Sequence, residues 1–155
     1  MDALSIFGLQ LVLSLVVYAL IAKWYVSPWL AEKQINQALM LLIFPHALRH
    51  IGLTFLVPGA VVQPLPAFFA TTAAYGDLIS GLLALLCLVA LRGGWGLAII
   101  LVWVFNIVGT ADLLNALRHV EAVPDLGSTW YIPTFFVPML LVTHFMVFAR
   151  LLGRR

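Results

Sequence analysis

Residues Leu39–Val57 read LMLLIFPHALRHIGLTFLV, an apolar run broken by Arg49, with His46 three residues before it and His50 directly after. Apart from these residues, the stretch has the length and composition of a membrane-buried helix. A charge at bilayer depth costs at least about 2.5–3.5 kcal/mol, so it persists where something compensates it. The fold therefore turns on two things: whether the rest of the chain is apolar enough to sit beside this helix, and what answers Arg49.

Composition settles the first. Of 155 residues, 64% are hydrophobic and 9% are charged, whereas a soluble domain carries about 25% charged residues. A span needs about 20 mainly apolar residues, and five such windows occur, at about 4–22, 36–57, 67–91, 95–117 and 130–150. The sequence thus predicts an all-α integral membrane protein, one transmembrane domain over 1–155, folded as a five-helix bundle with the lipid bilayer as its surroundings. Nucleic-acid binding is excluded by this composition, and no glycine-rich phosphate loop followed by Lys-Ser/Thr is present. Cys87 is the sole cysteine, so no disulfide or thiolate metal site forms within the chain, and its apolar neighbours mark it as a core residue. The first residues, Met1-Asp2-Ala3-Leu4-Ser5, lack a basic signal-peptide start, and the first helix is read as retained.

Helix punctuation separates the windows. Ser27-Pro28 reads as a cap followed by proline at the first helical position. The second helix is therefore expected to begin near Trp29, to run over 29–57, and to lie along the membrane interface before entering it. Pro58-Gly59 with Pro64 and Pro66, then Arg92-Gly93-Gly94, and then Glu121 to Ser128 form the remaining connections. Pro133 falls in the first turns of the last helix, whereas Pro138 lies deeper and is expected to kink it. Six of the eight basic residues, namely Lys23, Lys33, Arg92, Arg150, Arg154 and Arg155, fall on one side of this topology. By the positive-inside rule the N-terminus lies outside and the C-terminus in the cytoplasm, and if the host is bacterial the membrane is the cytoplasmic one. Trp24, Tyr25, Trp29 and Trp95 mark the inner interface, and Trp130 and Tyr131 the outer one. No internal repeat of the kind seen in inverted-repeat transporters is detectable.

At α-helical spacing, His46, Arg49 and His50 share an arc of about 100° on the second helix. On the third helix Asp77 lies at similar depth, on a face otherwise built from Ala70, Ala73, Ala74, Ser80, Gly81 and Ala84. Small residues let membrane helices approach closely, so this face is expected against protein, with Asp77 paired to Arg49. Asn106 sits near the centre of the fourth helix, and Asp112, Asn115 and His119 climb from it toward the outer mouth. Gln10, Ser14 and Tyr18 line the first helix, and His144 sits among apolar neighbours on the fifth.

Three functional readings fit these residues. The first is a pocket in the outer half, lined by Arg49, His46, His50, Asp77, Asn106 and Asp112, which binds or transports a small amphipathic, lipid-like or anionic molecule. The second is a membrane enzyme that uses His50, His46 and Asp77 for acid–base chemistry on a lipid-soluble substrate, with His50 exchanging protons and His46 orienting. The third is a b-type haem protein with axial histidines such as His46 and His144. Two histidines at i, i+4 are a weak metal signal, and no metal ligand set is assigned.

Overall fold

The computed structural model describes residues 1–62 and 65–153. Among these residues the chain is helical with no strand, and five helices are long and apolar enough to cross a membrane. They are α1 (Ala3–Ala31), α2 (Ile35–Leu56), α3 (Ala67–Arg92), α4 (Ala98–Ala116) and α5 (Gly127–Leu152). Pro64, Arg154 and Arg155, used above for a turn and for charge asymmetry, lie outside the described residues.

The first helix corrects the expected punctuation. Ser27-Pro28 starts no new helix: α1 continues through a π-turn at Ala22–Val26 into Ser27–Ala31 and stops only there, so the second helix begins at Ile35 rather than near Trp29. Proline cannot donate to the residue four back, and its ring crowds that carbonyl. Widening the preceding turn, with the Ser27 N–H bonded to Ala22 O, carries the chain past that obstacle. The same device recurs in α5, where a π-turn at Ile132–Phe136 precedes Val137-Pro138 and the Val137 N–H bonds to Ile132 O. At its start α1 is capped by Asp2, whose carboxylate accepts the Ser5 N–H at 2.7 Å and is held below the usual carboxylate range by that bond.

The second correction concerns winding. From Phe44 to Leu56, α2 is a 3-10 helix. With three residues per turn, positions i and i+3 eclipse one another. His46, Arg49, Gly52 and Phe55 therefore stack in one line, and all four are buried. At about 100° per residue an α-helix would have put Phe55 opposite His46. His50 leaves the shared arc expected for it and is exposed.

Helix α3 lies along α2 on its small-residue face: Ala70, Ala73, Ala74, Ser80 and Ala84 are buried. A Cβ added at Gly81 would stand 3.5–3.7 Å from the backbone at His46, Ala47 and His50, so the two helices meet backbone to backbone. At one end the connections interlock: the Val62 N–H bonds to Asp125 O at 2.9 Å, and Ser128 donates twice to Ala60 O. Gly127 has φ +52 and no room for a side chain beside Ala60 O, which fixes glycine at this corner.

Two apolar clusters form the core. One gathers Phe55, Phe69, Leu113, Leu126, Ile132 and Leu140 toward the Val120–Asp125 connection. The other gathers Leu39, Ile43, Ala84, Cys87, Val102, Phe105 and Val147 toward the opposite end. Apart from Thr129 and Thr134, whose hydroxyls bond backbone carbonyls three and four residues back, the buried polar residues of α2 to α5 fall between the two sets, so a single polar layer crosses an otherwise apolar bundle.

Candidate functional site

Arg49 organises this layer. It is 0% exposed, and each of its three guanidinium nitrogens donates to protein. Nε binds Asp77 Oδ1 at 2.7 Å, Nη2 binds Asp112 Oδ2 at 2.5 Å, and Nη1 binds the carbonyl of Gly109 at 3.1 Å. The expected partner, Asp77, is thus in contact, and Asp112 joins as a second carboxylate from α4. Their side chains are 11% and 18% exposed, so Asp112 is scarcely nearer solvent than Asp77.

Three glycines make the room. An added Cβ at Gly52 would collide with Asp77, one at Gly76 with Asp112, and one at Gly109 with the ring of His144 and with Arg49 Nη1 at 2.8–3.0 Å. Each lies on a different helix, α2, α3 or α4; Gly52 and Gly76 each admit one carboxylate to the layer, and Gly109 admits both His144 and Arg49.

Behind Arg49 lies a second polar group. Asn106 Oδ1 accepts from His144 Nδ1 at 2.7 Å, while its Nδ2 donates to the backbone carbonyl of His144 at 3.1 Å. His46 and His144 touch, with ring centres 4.1 Å apart, and Phe105 stands against both. The hydroxyl of Thr143 donates to backbone oxygens of its own helix and so accepts from His46 Nε2 at 2.9 Å. Each imidazole is fixed through one nitrogen, and the other nitrogens, His46 Nδ1 and His144 Nε2, are buried without a partner.

That contact does not suit His46 and His144 as axial ligands on the two faces of one haem. Two metal–nitrogen bonds of about 2 Å each put the ligating nitrogens roughly 4 Å apart on opposite faces of a macrocycle. Here the ring centres themselves are only 4.1 Å apart, which leaves no space for a porphyrin between them.

A partly enclosed cavity of about 40 Å³ opens on the side of Arg49 away from the histidines. That is room for roughly three waters at about 10–15 Å³ each, or a group of three or four heavy atoms. Phe7, Phe55, Phe69, Leu113, Leu126 and Ile132 wall it, and Asp77, Asp112 and His119 give it polar character. The lining differs from the expected set. Arg49 stands behind its carboxylates, Asn106 and His46 belong to the buried layer beyond, and His50 lies on the outside of the bundle. His46 and His50 are not brought together as a working pair.

His119 was the residue missing from the expected site. Glu121 Oε1 accepts from its Nδ1 at 2.7 Å, and its ring rests between Phe68 and Phe69. Bonding from its own backbone N–H, and then from His119, holds the Glu121 carboxylate below the usual glutamate range. The i, i+7 spacing of Asp112 and His119, two helical turns, was the available signal, but His119 lies past the end of α4 in the connection. Gln10 accepts from Trp130 Nε1 at 2.6 Å and ties α1 to α5.

The model of the family described as Domain of unknown function (DUF8737) matches residues 6–152, and the chain belongs to that family. The match takes in every residue of the polar layer and of the cavity wall. No curated protein and no solved structure matches the chain.

Proposed function

We propose that this chain is a multi-pass membrane protein that holds a small amphipathic molecule in the cavity floored by Asp77 and Asp112. Five helices of spanning length support the membrane assignment. α1 adds to it: it is apolar all round, yet of its Ala3–Ile21 stretch only Phe7 is buried, so it needs an apolar medium along its flank. The described basic residues Lys23, Lys33, Arg92 and Arg150 gather at one end of the bundle, which we place in the cytoplasm, so the N-terminus and the cavity face outward. In a bacterial host the membrane is the cytoplasmic one. Reporter fusions after Gly153 should be active on the cytoplasmic side, and fusions within 119–126 on the outer side. The reverse pattern would overturn the orientation.

The observation that carries the binding reading is the cavity itself. Apolar walls with a few convergent polar groups are the usual form of a small-molecule site. Among the described residues its inner end is closed by the buried layer of Arg49, Asn106, His46 and His144 and by the apolar cluster beyond. Binding fits this closed floor better than passage. Ala73 lines the cavity and is buried, so Ala73→Phe should fill it. Ligand-observed NMR of n-propanol with the full chain in detergent should show binding to the wild type and none to the variant. Equal binding by both would remove the cavity as the site.

One observation favours a second reading, a membrane enzyme. Because Nδ1 of His119 is engaged by Glu121, its Nε2 is the remaining nitrogen of a ring that lines the cavity, an arrangement suited to a general base. Turnover lost in His119→Gln with binding retained would select this reading; binding alone in the wild type selects the first.

A further inference from the structure

The chemical class of the ligand follows from what the cavity wall presents, given the reading of that cavity as a binding site. Arg49 is the one cation in the polar layer, and all three of its nitrogens are turned to protein acceptors. An anion entering the cavity would meet the two carboxylates before it met the guanidinium. The layer holds two carboxylates against one guanidinium, so a formal negative charge remains at its floor. Phe7, Phe55 and Phe69 line the cavity above, and phenyl faces attract cations that have shed their water.

A second observation points the same way. Arg49 draws on only one oxygen of each carboxylate, Asp77 Oδ1 and Asp112 Oδ2, so each keeps a second oxygen that the guanidinium does not hold.

We propose that the cavity selects a small protonated amine, with its ammonium group between Asp77 and Asp112 and its apolar part against the phenyl rings. The test uses three probes of one carbon skeleton, n-propylamine, n-propanol and propionate. Each is titrated at pH 7 and constant ionic strength into the full chain in detergent and followed by ligand-observed NMR. Propylamine should bind at least tenfold more tightly than propanol, and propionate more weakly than either. Asp112→Asn should cut propylamine affinity at least tenfold and change propanol affinity less than threefold. Should that variant fail to fold, Phe55→Leu should reduce the preference for the amine over the alcohol threefold or more, and the wild-type series decides regardless. Propanol equal to propylamine, or propionate the tightest of the three, would overturn the amine assignment and leave the cavity standing as a binding site. Binding by none of the probes would overturn the cavity reading and this inference with it.

Discussion

Arg49→Met should be the most damaging single substitution in the chain. It removes the donor from Asp77, Asp112 and the carbonyl of Gly109 at once, leaving two carboxylates together in an apolar bundle. Breaking a buried pair by deleting one partner costs roughly 3–5 kcal/mol, which for a chain of this size is a fall in melting temperature on the order of 10 °C. The triple variant Arg49→Met, Asp77→Asn, Asp112→Asn removes the uncompensated charge and should recover more than half of the loss. Asp77→Asn and Asp112→Asn alone should each cost less than Arg49→Met and differ little from each other, because both carboxylates bond the same guanidinium at similar burial. Thermal unfolding in detergent measures all four. A single Arg49→Met variant that melts like the wild type would show that the layer contributes nothing to stability.

A second large effect is expected at Gly109. Alanine there drives a methyl group into His144 and Arg49 Nη1, and overpacking a closed site costs about 1–3 kcal/mol. The control is Gly8→Ala on α1, where an added Cβ meets nothing within 4 Å. Relieving a helix of glycine there should stabilise by roughly 0.5–1 kcal/mol. The same substitution thus has opposite signs at two helical positions, separated by what each glycine faces. Equal melting temperatures for the two variants would show that Gly109 is not a packing constraint.

The five helices were legible because length and apolarity alone define them, whatever lies beside them. The approach of Asp77 to Arg49 was legible too, because a small-residue face and a matched depth leave few other partners for a buried cation. Asp112 was placed in the pocket, but its bond to Arg49 was not legible. At α-helical spacing it falls on a stripe climbing toward the mouth, and only the lateral placement of α4 turns it to Arg49. His50 was misplaced for a different reason. Its position was read with 3.6 residues per turn, but Phe44–Leu56 winds with three, and nothing in the hydrophobic pattern announces a tighter helix. The join at Ser27-Pro28 was misread because proline after a capping residue looks the same whether it opens a helix or follows a π-turn inside one. His119 escaped because its partner Glu121 lies in a connection, where helical periodicity carries no information.

Helix α1 stands apart from the other four in a way that bears on how the molecule is put together. The polar layer draws every member from α2 to α5, and α1 lends the cavity a single side chain, Phe7. Its side-chain bond and ring contacts, Gln10–Trp130, Phe7–Trp130 and Tyr18–Phe135, all run to α5, while it also packs on the Val120–Asp125 connection and buries Leu30 in the second apolar cluster. The bonds that compensate Arg49 are thus complete without α1, and loosening α1 from its neighbours would open the cavity wall at Phe7 while leaving the guanidinium and its acceptors in place.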